Sequence, residues 1–170
     1  MHRLRLRPLH VGDESSFARG HEAMAAEGFT FGLDYEPSDA WSSFLDRLDR
    51  NRRGIDIPEG RVASTFLVGD VGGEIVGRAS IRHELNDFLA REGGHIGYGV
   101  LAAHRSRGYA TEILRQSLVI ARSVGVTDAL LTCDEDNAAS AAVIERCGGV
   151  FESYVLAAAS GGRMRRYWIA

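Results

Sequence analysis

The chain has 170 residues, of which 45% are hydrophobic and 25% charged, and its formal net charge is −3. This length fits one compact domain, so we expect a single domain over residues 1–170. The balanced composition and weak negative charge argue against a disordered chain and against a nucleic-acid-binding protein. All 20 basic residues are arginine, which excludes chemistry that needs a lysine nucleophile.

No apolar run approaches the roughly 20 residues of a membrane helix, and the arginine-containing N-terminal segment lacks the apolar stretch of a signal peptide. We therefore predict a cytoplasmic protein without a membrane partner. The two cysteines, Cys133 and Cys147, lack the paired spacing of zinc ligands, and the six histidines are scattered. The sequence thus predicts no bound metal.

The N-terminal third of the chain is predicted to form a strand and two helices. Arg3–Arg7 alternates arginine with leucine, a pattern typical of a strand. Apolar residues at helical spacing then predict one helix with an N-cap at Asp13 and an end at Gly28, and a second helix that follows a cap at Ser38.

The rest of the chain alternates between strands and helices. Predicted strands cover Ser64–Val71, Glu74–Ile81, Ile96–Leu101, Ala129–Cys133, Val150–Ala157 and Arg163–Ile169, and predicted helices cover Tyr109–Val124 and Asn137–Cys147. This order favours a mixed α/β fold around one sheet, with a right-handed parallel strand–helix–strand unit in its second half.

The segment from His104 to Ala110 is the strongest candidate for a binding site. It links a strand to the start of a helix, where free backbone N–H groups and the helix dipole attract an anion. Gly108 lets the chain approach a phosphate without a Cβ in the way. The alternative is that these arginines are simply solvated at a helix start.

Two further patterns bear on the ligand. Asn137 and Ser140 begin a helix directly after a strand, so they border the same crevice, although helix capping alone also explains them. Gly97 and Gly99 complete the dinucleotide pattern G-x-G-x-x-A with Ala102. We discount a nucleotide-binding regulator because these glycines lie inside a strand, where they indicate a bulge or a close approach.

The residues at both crevice helices resemble the Gcn5-related N-acetyltransferase (GNAT) superfamily, and in particular a bacterial subgroup of predicted acetyltransferases. Arg105, Gly108 and Ala110 match its pyrophosphate motif, and Asn137 with Ser140 looks like its second cofactor motif. The resemblance implies a mixed, mostly antiparallel sheet of seven strands, flanked by about four helices, whose central strands splay at the cofactor.

The resemblance also implies an acyltransferase that moves the acetyl group of acetyl-CoA directly to a primary amine. The acceptor stays open between a small molecule and a protein N-terminus, and a homodimer is among the expected partners. The implied cofactor-binding residues are Val100 and Leu101 for pantetheine, Arg105, Ser106, Arg107, Gly108, Tyr109, Ala110 and Thr111 for pyrophosphate, and Asn137 and Ser140 for the pantetheine arm.

The reaction needs a base, since an alkyl ammonium has a pKa near 10.4, and a group that assists the leaving thiolate. The candidates are His95, Glu84, Tyr98 and Asp134. Many family members have a tyrosine acid seven residues after the asparagine, where this chain has Ile144. We therefore expect His95 as the base and Tyr98 as the acid, against a structural role for the histidine and a core role for the tyrosine.

Other readings of the sequence remain open. Because Ile144 stands at the usual acid position, the chain is alternatively interpreted as a catalytically weak acetyl-CoA-binding sensor or regulatory module. The acidic run Asp134–Asp136 favours a cationic acceptor, whereas the Arg82-His83 pair can bind an acidic substrate group; both are equally explained as solvated surface.

Overall fold

The computed structural model describes residues 3–170, so Met1 and His2 lie outside the described residues. Seven strands are described: β1 (Arg5–Arg7), β2 (Ser64–Val71), β3 (Glu74–Arg82), β4 (Ile96–Val100), β5 (Ala129–Asp134), β6 (Val150–Leu156) and β7 (Arg163–Ile169). Four α-helices accompany them: α1 (Glu14–Ala25), α2 (Trp41–Arg52), α3 (Tyr109–Ser123) and α4 (Ala138–Arg146).

The strands form two hydrogen-bonded sheets rather than the one continuous sheet that the element order predicts. The first sheet has the order β1-β2-β3-β4 and the second β5-β7-β6, with every pair antiparallel. The mixed α/β class, the seven strands and the mostly antiparallel pairing are confirmed.

The two sheets meet where β4 runs beside β5. At the start of both strands, the His95 N–H donates to the Leu130 carbonyl at 2.7 Å, while at their far ends Val100 and Asp134 border one cleft. The strands therefore lie parallel, in contact at one end and apart at the other. This divergence is the splay that the family resemblance implies.

Apolar side chains pack on both faces of the first sheet. Phe17, Phe31 and Phe44 from the N-terminal helices and their connection are fully buried against one face. On the other face, Ile113 and Leu114 of α3 are also fully buried. Because successive residues of a strand point to opposite faces, each strand contributes to both cores. The packing of α3 fixes where its N-terminus meets the end of β4.

Neither of the two predicted N-caps makes a side-chain hydrogen bond to its helix. Ser38 does not cap α2, whose N-cap is Ala40 without a side-chain bond. Asp13 does occupy the N-cap position of α1, but it makes no side-chain cap bond, because its carboxylate accepts from Arg7 Nη1 at 2.7 Å and from the His10 N–H at 2.9 Å. The Asp13 carboxylate therefore bonds to Arg7 and to the short turn before α1, and it does not accept from the N–H groups of the first turn of α1.

Within residues 3–170, the helices are all too short or too polar to cross a membrane. The same part of the chain has no group of three or more His, Cys, Asp or Glu side chains arranged to hold a metal ion.

Candidate active site

A cleft of about 700 Å³ opens between the diverging ends of β4 and β5. The N-terminal ends of α3 and α4 border it, together with the segment that follows α1. Its size lies within the range of small-molecule and cofactor sites. The two helix starts that the sequence singles out are thus brought to one cavity.

The turn before α3 presents unpaired backbone donors to this cleft. Gly108 has φ +80° and Ser106 φ +60°, and the Tyr109, Ala110 and Thr111 N–H groups have no hydrogen-bond acceptor among residues 3–170. These donors and the helix dipole favour an anion at this point. A Cβ at Gly108 would meet no protein atom within 4 Å, so within the protein the glycine is required by its backbone angle rather than by crowding.

Arg105 holds the turn in place. Its Nε donates to the Val100 carbonyl at 3.1 Å and its Nη2 to Glu27 at 2.7 Å. The side chain therefore ties the turn to the end of β4 and to the segment after α1. Arg107 is exposed and does not line the cleft, in contrast to Ser106, Gly108, Tyr109, Ala110 and Thr111.

Of the two predicted pantetheine contacts at the end of β4, only one lines the cleft. Val100 lines the cleft. The Leu101 N–H donates to the Val76 carbonyl at 2.9 Å, and its side chain packs against the aromatic core beside α1. Leu101 therefore has no free donor for a ligand, because its N–H extends the pairing of β3 with the β4 end.

Asn137 and Ser140 both line the cleft and also build the start of α4. Asn137 Oδ1 accepts from the Ser140 N–H at 3.0 Å, so the capping role is present. The capped residue in turn reaches Tyr98, which connects α4 to β4 across the gap between the sheets.

We expect Asn137→Ala to lower both stability and CoA affinity. Loss of the cap costs about 0.5–2 kcal/mol of stability, and the lost side chain also removes a polar contact from the cleft wall. Thermal melts and calorimetric CoA titration measure the two effects. Asn86→Ala is the matched control, because Asn86 Oδ1 caps the Leu89 N–H away from the cleft. Equal stability loss with unchanged CoA affinity in both variants would restrict Asn137 to capping.

Tyr98 lies in the cleft with its hydroxyl near α4. The Tyr98 and Ser140 hydroxyl oxygens are 2.9 Å apart, and burial raises the pKa of Tyr98 to about 12. Tyr98 is thus protonated at neutral pH and can donate a hydrogen bond. Ile144, at the usual family acid position, is fully buried, and burial raises the pKa of the Cys133 thiol, which disfavours a thiolate nucleophile.

His95 lies at the start of β4, away from the residues that line the cleft. Its Nδ1 accepts from the Leu130 N–H at 2.9 Å, and first burial and then Arg82 lower its pKa. A neutral imidazole has one nitrogen with a free lone pair, and here that nitrogen is occupied by a backbone donor. The geometry favours a structural link between the sheets over a base.

This link makes a pH prediction for stability. The lowered pKa means that the fold favours neutral His95, so its contribution is present above the ordinary pKa of 6.5 and is lost as pH falls below it. His95→Ala leaves the buried Leu130 N–H unpaired and should cost about 1–3 kcal/mol. Urea unfolding at pH 7.5 and 5.5 should show a weaker pH dependence in the variant; parallel pH profiles would contradict the assignment.

Of the other two base candidates, one lines the cleft and one does not. Asp134 lines the cleft, whereas Glu84 is exposed beyond the end of β3. Arg82 and His83 do not form one site either, because the side chains of neighbouring residues along a strand point to opposite faces of the sheet. His83 Nε2 contacts Thr65 Oγ1 at 2.8 Å, while Arg82 lies over Gly97.

The segment after α1 contributes residues that the sequence does not reveal as site residues. Glu27, Gly28 and Phe29 line the cleft. A Cβ at Gly99 would lie 2.6 Å from Phe29 Cζ, so the absent side chain in β4 makes room for the aromatic ring. The glycines inside the strand were the available signal, since they predict a close approach without identifying the approaching group.

These features are accompanied by a family match. The match to the family described as "Acetyltransferase (GNAT) domain" spans residues 3–150, well over half of the chain. The chain therefore belongs to the GNAT acetyltransferase family, and the resemblance seen in its two motifs is confirmed. No curated protein matches it significantly in sequence.

Several solved structures have the same fold as this chain. RimJ from Mycobacterium smegmatis, in complex with CoA-disulfide, is 20% identical, with 98% of this chain and 81% of that chain covered and a TM-score of 0.70. A GNAT-family acetyltransferase from Bordetella pertussis is also 20% identical, with 99% and 96% covered and a TM-score of 0.70. An acetyltransferase from Salmonella typhimurium with acetyl-CoA is 15% identical, with 98% and 92% covered and a TM-score of 0.65.

Proposed function

We propose that this protein transfers the acetyl group of acetyl-CoA directly to a primary amine. The observation that carries the proposal is the turn before α3, whose unpaired N–H groups face a cleft that continues between the splayed ends of β4 and β5. The solved GNAT proteins from Mycobacterium smegmatis and Salmonella typhimurium contain CoA-disulfide and acetyl-CoA respectively, which supports the same ligand class here.

The residues of the cleft fit this cosubstrate. The backbone of residues 106–111 supplies donors for a pyrophosphate, in a turn that is shaped by positive φ angles. Val100, Asn137 and Ser140 border the route from that turn into the gap between the sheets, where a pantetheine arm would lie. The thioester would then reach the neighbourhood of Tyr98.

For the chemistry, we propose that the amine nitrogen attacks the thioester carbon, after which the carbon–sulfur bond breaks. The Tyr98 hydroxyl donates a hydrogen bond to the leaving sulfur. Since the pKa of Tyr98, about 12, is above that of a thiol, near 8.5, the tyrosine keeps its proton and CoA leaves as the thiolate. Asp134 is the base candidate that lines the cleft, and we assign to it the proton that the amine loses. Asp134 is exposed and then releases this proton to solvent, so the products are the acetylated amine, the CoA thiolate and one proton.

A binding module without turnover is the second candidate function. The observation in its favour is Ile144, which is fully buried and cannot titrate at the position where relatives have the tyrosine acid. The two candidates share the cofactor cleft and differ only in whether the thioester is consumed.

Two measurements test the proposal together. Calorimetric titration with CoA and acetyl-CoA should give micromolar affinities, and a thiol reagent should detect CoA release when acetyl-CoA is supplied with a panel of primary amines. Binding without amine-dependent thiol release would favour the sensor. Absence of binding would contradict both candidates.

The single domain over residues 1–170, the homodimer and the cytoplasmic location stay predictions. The same holds for the absence of metal, nucleic-acid and membrane partners.

A further inference from the structure

Two arginines of β3 lie side by side over β4. Arg78 and Arg82 point to the same face of the strand, and both guanidinium groups reach Gly97. A Cβ at Gly97 would lie 3.2 Å from Arg82 Nη1 and 3.5 Å from Arg78 Nη1. The absent side chain at this position therefore makes room for two neighbouring positive charges.

Neither arginine has a carboxylate partner within residues 3–170. Arg78 is only 5% exposed; it donates to the Thr30 carbonyl at 2.7 Å and the Gly97 carbonyl at 3.2 Å, and its buried Nε is unpaired. Arg82 is half-buried and donates to the Gly93 carbonyl at 3.3 Å. A buried charge without an opposite charge is destabilising, so a bound anion would stabilise this pair.

The charges around the pair do not neutralise it; Arg61, the nearest further arginine, is itself paired with Asp34 at 2.6 Å. Burial, then repulsion from Arg82, lowers the pKa of Arg78, and burial, then Arg61, lowers that of Arg82. His95 is also close enough for Arg82 to lower its pKa. Glu92 of the adjoining turn does not neutralise the pair, because its carboxylate accepts from Arg91 and from the Ala158 N–H.

The arginine pair adjoins the proposed active site. Gly97 precedes Gly99 by two residues on the same face of β4, a distance of about 7 Å along a strand. Gly99 and Phe29 line the cleft, and the Arg78 guanidinium carbon lies 4.6 Å from the centre of the Phe29 ring. A molecule with one end at the thioester can therefore place its other end near Arg82.

We propose that Arg82, supported by Arg78, binds an anionic group of the acceptor, a carboxylate or a phosphate. The inference rests on the proposed transfer to an amine. The forked donors of a guanidinium group suit either anion. The acceptor is then a small amine that also carries an acid group, and Asp134 lines the cleft in which its amine end would bind.

The test compares amines that differ only in the acid group. The carboxylate arm pairs γ-aminobutyrate, 5-aminopentanoate and 6-aminohexanoate with butylamine, pentylamine and hexylamine; the phosphate arm uses O-phosphoethanolamine against ethanolamine. We expect kcat/KM to be about 10–100-fold higher for at least one acidic amine than for its neutral match, in keeping with a hydrogen-bonded ion pair. Arg82→Gln should remove most of this ratio, while Arg115→Gln, at an exposed site on α3, should retain it.

Binding is also measured without turnover. The preferred acidic amine should raise the thermal midpoint of the wild-type protein with CoA bound, and the rise should be lost in Arg82→Gln, whose CoA affinity shows that it is folded. Equal kcat/KM within every matched pair would overturn the anion subsite and leave the transfer proposal standing. If no amine is acetylated, the result counts against the proposed function. The thermal midpoints are then measured with each acidic amine, and an equal rise in wild type and Arg82→Gln, or no rise in either, would overturn the subsite as well.

Discussion

Replacing Tyr98 with phenylalanine should lower kcat by about 10²–10³-fold, the cost typical of removing one donor that stabilises developing charge. The hydroxyl contacts Ser140 and remains protonated because burial raises its pKa to about 12. The aromatic ring stays, so CoA affinity should change little. Steady-state rates with saturating acetyl-CoA and a working amine measure the effect.

The control for this variant is Tyr154→Phe, which removes a hydroxyl from an exposed tyrosine of β6. It should keep the wild-type rate. A Tyr98→Phe enzyme that is as fast as this control would show that the leaving sulfur needs no donor from β4. The pH profile adds a second readout, since a group with such a high pKa should produce no ionisation step near neutrality.

Gly108→Val should weaken CoA binding by about tenfold or more, whereas Arg107→Ala should weaken it by less than about fivefold. A β-branched residue at φ +80° strains the turn by about 1–3 kcal/mol and moves the N–H groups that face the cleft. An exposed charge contributes at most about 1 kcal/mol. Calorimetric titration with CoA compares the two.

Gly161→Val is the matched control for backbone strain, because Gly161 has φ +68° in the turn between β6 and β7 and does not line the cleft. It should lose stability but keep CoA affinity. If Gly108→Val and Arg107→Ala caused the same small loss, the backbone of this turn would not be the main anion-binding element.

Local sequence patterns were enough to predict most of the fold. The helical spacing in Tyr109–Val124 and the strand patterns of Ser64–Val71 and Glu74–Ile81 depend on neighbours along the chain, and the structure has these elements where the patterns predict them. The capping roles of Ser38 and Asp13 failed because a side-chain acceptor is taken by whichever donor tertiary structure brings nearest. For Asp13 those donors are Arg7 and the His10 N–H.

The cleft itself was predicted through its two helix starts, but individual roles were not. The strand position of His95 suggested a base, and only the packing of β5 against β4 reveals that Leu130 occupies its lone pair. Similarly, the sequence suggested Arg82 and His83 as one anion-binding pair because they are adjacent along the chain. In the structure the side chain next to Arg82 is Arg78, since both point to the same face of β3. Such partnerships arise between distant segments and leave no spacing pattern in the sequence.

The central claim is that the cleft supports direct transfer of an acetyl group to an amine. The most direct measurement is mass spectrometry of a reaction between the protein, acetyl-CoA with an isotopically labelled acetyl group, and a primary amine. The account predicts labelled acetyl on the amine nitrogen, free CoA in equal amount and an unchanged protein mass. Labelled acetyl on the protein, at Cys133 or elsewhere, or intact acetyl-CoA after prolonged incubation with every amine, would contradict it.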